Sequence, residues 1–375
     1  MKFRLNHIYA VALSMVLGGA TNLAYAGNPE RQGQAGAAQL TINGWSRSSG
    51  LGWANGGSIK GVEAMFMNVA GLDRMVNRTE LIFSRTEWLS GSGIGINNVG
   101  FAQKLGEDDD AGTLGVQIMQ FGIDPIEITT ETNPYGGIGT YRVNMTNIAL
   151  SYSKSFSNSI SAGITARMVT EGIPDASATG MVLDAGVQYA TTMSPGASKL
   201  KKNDFKFGIS IKNIGPDMDF SGDGLSYKAM LQNGSFDKTI QVKTTAIKMP
   251  AMLNIAASYD LKLDADPKIY DNRLTLGMGF TNNAFSANQT TVSAEYAYKN
   301  MLMVRGGFAY QEGIFDEENR TSAFTGPFAG ISYDWHIEGD DDSESVVSLD
   351  YSYRFTNPFS GTHCFGIRIG LGKSK

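Results

Sequence analysis

The chain carries a single cysteine, Cys364, among its 375 residues. One cysteine cannot close an internal disulfide, so this is not a stapled secreted scaffold. Cys364 opens the last strand-like segment and reads as a small packing residue rather than a nucleophile. Histidine is scarce as well: there are three, His7, His336 and His363. None is spaced from a serine and an acid as a hydrolase would need, so no enzyme is expected. Nothing implies a cofactor or a metal. Beyond residue 26 no apolar run reaches the ~18 residues that a helix needs to cross a bilayer. Charged residues make up 18% and the formal net charge is −5, which argues against nucleic acid. No linker, charge block or low-complexity tract divides the rest, so one unit is expected.

What the chain does have is glycine (45 residues), aromatic side chains (10%) and alternation. In 345–355, Val347, Leu349, Tyr351, Tyr353 and Phe355 fall on one face; Ser348, Asp350, Ser352 and Arg354 fall on the other. Phe365, Ile367, Ile369 and Leu371 then alternate with Gly366, Arg368 and Gly370. Successive strand residues point to opposite faces. The apolar faces carry aromatics near strand ends; the polar faces carry small residues and isolated charges of both signs. A transmembrane β-barrel needs that pattern: lipid outside, a polar or packed lumen inside, no open edge. The first 26 residues read as a signal peptide. Lys2 and Arg4 form its charged start, Ile8 to about Leu17 its apolar stretch and Ala24-Tyr25-Ala26 its cleavage site,. The compartment implied is the outer membrane of a Gram-negative bacterium.

The expected fold is all-β, an antiparallel outer-membrane barrel of about 14 strands: 79–87, 93–104, 112–121, 145–154, 159–169, 180–189, 204–212, 250–261, 272–281, 290–298, 301–311, 325–336, 345–355 and 363–372,. The pattern is weakest in the first strand, which Arg85 and Glu87 interrupt. Lys299-Asn300 is the tightest turn. The barrel spans 79–375, and 27–78 lacks strand pattern and reads as a hatch or plug within the lumen. Alternation turns Arg167, Asp184, Lys206, Lys212, Asp260, Arg273, Glu295, Arg305, Asp334, Asp350 and Arg368 inward, where they pair across the lumen or line a solute path. Tyr351 faces lipid and Asp350 the lumen, so Tyr351→Arg is expected to cost ~2–4 kcal/mol near the midplane and much less near the interface, with Asp350→Asn costing less. The acidic clusters Glu107–Asp110 and Asp340–Asp342 read as solvated turns. Asp217–Gly224 imitates the start of a calcium loop, but Lys228 stands where the bidentate glutamate belongs,. The connection 213–249 is unusually apolar for an exposed loop. Phe220, Leu225, Tyr227, Met230 and Phe236 are its candidate partner-binding residues, the alternative being that it packs on itself as a short hairpin over the barrel mouth.

Asn68-Val69-Ala70-Gly71-Leu72 resembles the Asn-Pro-Ala-Gly-Leu element of FadL-like long-chain fatty-acid transporter barrels, with Val69 in the proline position. Asn68, Gly71 and Leu72 then belong to the hatch closure. A resemblance over the whole mature chain is to the PorV/PorQ family of barrels from the type IX secretion system. It rests on Ala37-Ala38-Gln39-Leu40 with Arg47-Ser48-Ser49-Gly50-Leu51, on 183–189 (Leu-Asp-Ala-Gly-Val-Gln-Tyr), on 207–215 (Phe-Gly-Ile-Ser-Ile-Lys-Asn-Ile-Gly), and on Asp350-Tyr351-Ser352-Tyr353 followed by His363. It implies a barrel in the lipid bilayer that docks on a secretion translocon or surface attachment complex and presents secreted cargo bearing a C-terminal signal domain. The alternative is a FadL-type channel for hydrophobic small molecules. Loop lengths predict that 122–144 and 213–249 lie outside the cell and that 155–158 and 299–300 are periplasmic turns. A cysteine engineered at Ser235 should therefore be labelled on intact cells and one at Asn300 should not; the reverse pattern would overturn the topology.

Overall fold

The computed structural model describes residues 31–193, 203–230, 237–264, 271–318, 320–337 and 345–373. The expected signal peptide, Phe236 and Asp340–Asp342 lie outside these. Eighteen strands form: β1 (Asn77–Trp88), β2 (Ile94–Lys104), β3 (Thr113–Ile123), β4 (Ile126–Glu127), β5 (Thr140–Tyr141), β6 (Asn144–Ser155), β7 (Ile160–Ile173), β8 (Ala176–Thr191), β9 (Phe205–Ile214), β10 (Ser226–Met230), β11 (Asp237–Gln241), β12 (Met252–Lys262), β13 (Asn272–Asn283), β14 (Gln289–Tyr298), β15 (Leu302–Gln311), β16 (Phe324–Ile337), β17 (Ser345–Thr356) and β18 (Thr362–Lys373). Fourteen of them close a barrel in which every neighbour is antiparallel and β1 pairs with β18, Glu80 opposite Gly370 and Ser84 opposite Gly366. Closure leaves no unpaired edge in lipid. The fourteen expected strands are all present, most of them a residue or more longer at an end. The other four strands are hairpins inside the two longest connections: β10–β11 is the short hairpin expected as the alternative for 213–249, and β4–β5 was not anticipated. Short strands within a polar loop leave little periodic signal.

Alternation holds nearly throughout. Along β8, Val182, Asp184 and Gln188 are buried, while Met181, Leu183 and Val187 are exposed on the outer face. Leu81, Phe83, Ile118, Leu150, Ile164, Ile209, Val304, Leu349 and Ile367 continue that outer apolar surface round the barrel. A closed barrel clothed in this way is an outer-membrane barrel. In β1, Arg85 and Glu87 also point outward, but at the end where the strand leaves the lipid band. Arg85 donates to Asn97 Oδ1 (2.8 Å), and Glu87 accepts from Ser90 Oγ (2.5 Å). The weak pattern there marks a rim.

The two rims differ. One carries the short turns, including Lys299-Asn300, where both residues have positive φ (52° each) and Met301 N donates to Tyr298 O (3.0 Å), closing a tight hairpin turn,. Asp109 of the acidic turn stands at this rim, ion-paired to Arg78 (3.4 Å) rather than merely solvated. The other rim carries 124–143 and 215–251. Residues 31–76 thread the lumen from the long-loop rim, where Ala35 bridges Lys248, to the short-turn rim, where β1 begins. They form short helical turns: Ala38–Thr41, Ser46–Ser49, Gly52–Asn55, Ala64–Met67 and Val69–Arg74.

Leu349 sits mid-strand between Tyr333 and Ile367. Tyr351, also near mid-strand, sets its hydroxyl on His363 Nδ1 (2.9 Å) and its ring 4.9 Å from that of Phe365, whereas Phe355 lies one residue from the strand's end. A cation is costly at the midplane and cheap at the interface. Leu349→Arg should cost ~2–4 kcal/mol and Phe355→Arg ~0–1 kcal/mol in reversible unfolding from bilayers. Equal costs would show that the lipid band is misplaced.

Candidate functional site: the hatch and its ion-paired wall

An irregular segment at membrane depth is tolerated only if its backbone groups find partners within the protein. The wall supplies them. Arg167 Nη2 donates to Met65 O (3.1 Å), Ser210 Oγ to Met67 O (3.0 Å) and Ser153 Oγ to Ala70 O (3.1 Å). Gln188 Nε2 donates to Gly56 O (3.1 Å) and Ile59 O (3.0 Å), and Glu80 Oε1 accepts from Val62 N (2.8 Å). These wall residues sit on inward positions of the strands, so strand parity alone aims them at the hatch.

Asn68 is the most heavily used hatch residue. Its Oδ1 accepts from Ala70 N (3.2 Å), capping the turn Val69–Arg74,. Its Nδ2 donates to Gly56 O (2.9 Å) and across to Val187 O (3.1 Å) of β8. Gly186 faces it so closely that a Cβ there would lie 2.1 Å from Asn68 Oδ1. Gly71 is packed against Ile59 O, which a Cβ would approach to 2.1 Å. Leu72 is wholly buried, in a cluster with Trp45, Val62, Met65, Phe66 and Met67. The turn forms with Val69 in the proline position.

The inward charges are brought together as pairs. Arg167 meets Asp184 (3.0 Å). Lys206 meets Asp260 (2.6 Å), Arg273 approaches Asp260 (4.0 Å) and meets Glu295 (3.1 Å), and Glu295 meets Arg305 (3.0 Å). That is a ladder of alternating sign over β9, β12, β13, β14 and β15. The remaining wall charges bind the hatch. Arg47 spans Asp334 (2.5 Å) and Asp350 (2.8 Å); Arg368 spans Glu63 (2.9 Å) and Glu80 (3.5 Å). Arg47, Glu63 and Glu80 were not among the candidate charges. Glu80 was legible, since it alternates with Leu81 and Phe83. Arg47 and Glu63 sit in a segment without periodicity, so nothing local marks them.

Lys212 differs from the rest. It is 2% exposed, its ammonium has no hydrogen-bond partner among the described residues, and it lies 3.7 Å from the Phe66 ring centroid and 4.9 Å from that of Trp53. Two hatch aromatics thus hold a wall cation. Cys364 is buried, with its sulfur against Thr86 Oγ1 (2.9 Å).

Below the hatch, towards the short-turn rim, lies a cavity of about 610 Å³. Lys60, Lys206, Ser258, Asp260, Arg273 and Glu295 are among its lining residues. It is polar and charged.

The connection between β9 and β12 divides its candidate contact residues. Phe220 packs against a buried cluster of Ala37, Leu40, Val182, Met218 and Met249. Leu225 is half-buried, whereas Tyr227 (53% exposed) and Met230 (72%) stand out on β10. The loop therefore does fold down over the mouth, and Phe220 is part of that packing rather than a free anchor. Asp217–Gly224 is fixed at the loop base by the Met218–Ile247 and Ser177–Ser221 bridges.

No family model and no curated protein sequence matches the chain. Among solved structures it is similar to the Pseudomonas putida toluene transporter TodX (11% identity, 89% of this chain and 100% of that one, TM-score 0.46). It is also similar to a Pseudomonas aeruginosa FadL homologue (12%, 89% and 98%, TM-score 0.46) and to the CymD monoaromatic hydrocarbon channel (12%, 88% and 99%, TM-score 0.42). At such identities and scores the likeness concerns barrel architecture and nothing finer.

The packing around Asp350 raises the cost expected for Asp350→Asn. Asp350 is 4% exposed and holds both Arg47 and the Ser332 hydroxyl. Removing one partner of a buried pair typically costs ~3–5 kcal/mol. Asp350→Asn should therefore destabilise the barrel more than Tyr351→Arg and speed proteolytic cutting of the hatch. Unchanged hatch protection would mean that Arg47 does not anchor it.

Proposed function

We propose that this outer-membrane barrel is a docking component of a secretion machinery of the type IX kind, and not an open pore. The observation that carries the reading is the filled lumen. The hatch is fastened to opposite sides of the wall by Arg47 and Arg368, by Asn68 and by wall donors to its carbonyls. An apolar cluster occupies the middle, and the cavity beneath is polar. A hydrophobic solute meets no apolar path in that arrangement. The whole-chain resemblance to PorV/PorQ barrels supports the same reading and supplies the partners: a translocon or surface attachment complex, and cargo with a C-terminal signal domain. In this reading the long-loop rim faces the cell exterior, and the hairpin β10–β11 offers Tyr227 and Met230 as apolar contacts.

A second reading is a FadL-type channel for hydrophobic small molecules. The register shift between β8 and β9, near Leu183 and Ala185, favours it: Asn213 adopts positive φ (59°) and its N–H is held by Asp184 Oδ1 (2.7 Å). Such a kink, next to the apolar cluster of Val182, Met218 and Met249, is where a wall could part. The two readings separate in one experiment. Tyr227→Ser with Met230→Ser should leave a heat-modifiable barrel in the outer membrane but abolish co-purification of its partners from native membranes, since central apolar anchors each contribute more than about 1 kcal/mol. If co-purification persists, and an Asp184→Ala change at the kink instead stops uptake of a hydrophobic solute, the channel reading replaces the docking one.

A further inference from the structure

The apolar belt round the outside of the barrel does not have one width. On the barrel strands from β9 to β18, the outward residue four from the long-loop end is apolar or aromatic, as in Ile255, Phe280, Phe308, Tyr353 and Phe365. Across β1–β3 and β6–β8 that level is polar. Arg85, Asn97, Gln120, Thr146, Thr170 and Thr179 stand opposite one another in turn and form one unbroken register row. The rim that Arg85 marks therefore reaches lower on this side of the barrel.

The belt is narrowest at β1 and β2, because it also closes in from the short-turn side. There Thr79 stands opposite Gln103 and donates to its Oε1 (2.6 Å). Between the two polar levels β1 turns only Leu81 and Phe83 outward, and β2 only Val99 and Phe101. The neighbouring β18 carries Phe365 opposite Arg85 and Leu371 opposite Thr79, so the narrowing is abrupt. From Thr79 to Arg85 the strand climbs ~20 Å, about 15 Å of depth at a tilt of ~40°. The usual apolar band of such a barrel is ~25 Å tall. A belt too short for its bilayer is relieved by thinning the lipid or by oligomerising.

The groups that border this strip complement themselves. The Arg85 guanidinium lies over Gly95, the residue directly opposite Glu87, so cation and anion stand at one level. Both side chains are exposed, and among the described residues neither makes an ion pair. Two copies that share a bilayer the same way up are related by a twofold axis along the membrane normal, which brings equal levels together. Arg85 of each copy then meets Glu87 of the other. The amides of Asn97 and Gln120 are donor and acceptor at once and can pair with their own kind. Convex walls touch along only a few strands, which is the width of the strip. We propose that the outer face of β1 and β2 is where this barrel pairs with a second copy of itself in the membrane, through reciprocal Arg85–Glu87 ion pairs above an apolar centre of Phe83 and Val99. The inference is independent of which function the barrel serves.

The test uses the full-length barrel in dioleoyl lipid vesicles at a high lipid-to-protein ratio. Under mild oxidation Val99→Cys should form a disulfide-linked dimer, and Val304→Cys, on the outer face of β15, should not; the native Cys364 is buried and does not compete. Energy transfer between copies labelled at Asn300→Cys measures the affinity. Arg85→Glu or Glu87→Arg alone should weaken it about tenfold or more, since like charges then face each other. Arg85→Glu combined with Glu87→Arg should restore it to within about threefold, because the reciprocal pairs form again. Dilauroyl vesicles, whose thinner core suits the short belt, should weaken the wild-type dimer by about tenfold. The proposal is overturned if the wild type is monomeric in dioleoyl vesicles, which would mean that thinned lipid alone covers the strip. It is also overturned if Val99→Cys links no better than Val304→Cys, if the double charge change restores nothing, or if Val99→Cys in native membranes links only to a different protein.

Discussion

A barrel of fourteen strands encloses a lumen wider than its own wall side chains fill,. Filling it with a non-repetitive segment then creates a second demand, because that segment brings backbone N–H and C=O groups to a depth where bulk water cannot serve them. The wall meets both demands through side chains whose direction is set by strand parity. Arg167, Gln188, Ser210 and Ser153 donate to hatch carbonyls, and Glu80 accepts a hatch N–H. Most other features of the lumen follow from this exchange.

Glycine has its place here too. Inward strand positions with a side chain would collide with the hatch; Gly366, under Ser46, leaves only 2.0 Å between a built Cβ and the serine Oγ. The composition that suggested tight turns and small lumen residues thus also records how near the hatch backbone lies to the wall. Charges divide the same space by sign. Arg47 and Arg368 bolt the hatch to the acidic side, whereas the ladder from Lys206 to Arg305 is satisfied within the wall. The hatch is therefore held by ion pairs on one side and by hydrogen bonds from β6–β9 on another, an asymmetry that bears on either function, docking or passage.

The outer connection shows how a loop can be both cover and contact. Met218, Phe220 and Met249 turn down onto Ala37, Leu40 and Val182, which removes apolar surface from water and caps the long-loop rim,. Tyr227 and Met230 remain exposed on the raised hairpin. Apolar content alone could not separate these two groups, because both occur in one polar stretch without period.

The sequence by itself determined the fourteen strands, their inward and outward faces, the tight Lys299-Asn300 turn and the inward set Arg167, Asp184, Asp260, Arg273, Glu295, Arg305, Asp334, Asp350 and Arg368. The physical reason is that a strand's side-chain period is two and the bilayer sorts every second residue by polarity. It also marked Asn68, Gly71 and Leu72, through a local motif. Only the tertiary structure decided which charges pair, because partners such as Arg47 and Asp350 lie 303 residues apart and one of them sits in a segment with no period. The same holds for the β10–β11 hairpin and for the burial of Phe220. Each depends on what the hatch and loop meet when the barrel closes round them, and no local pattern encodes that meeting.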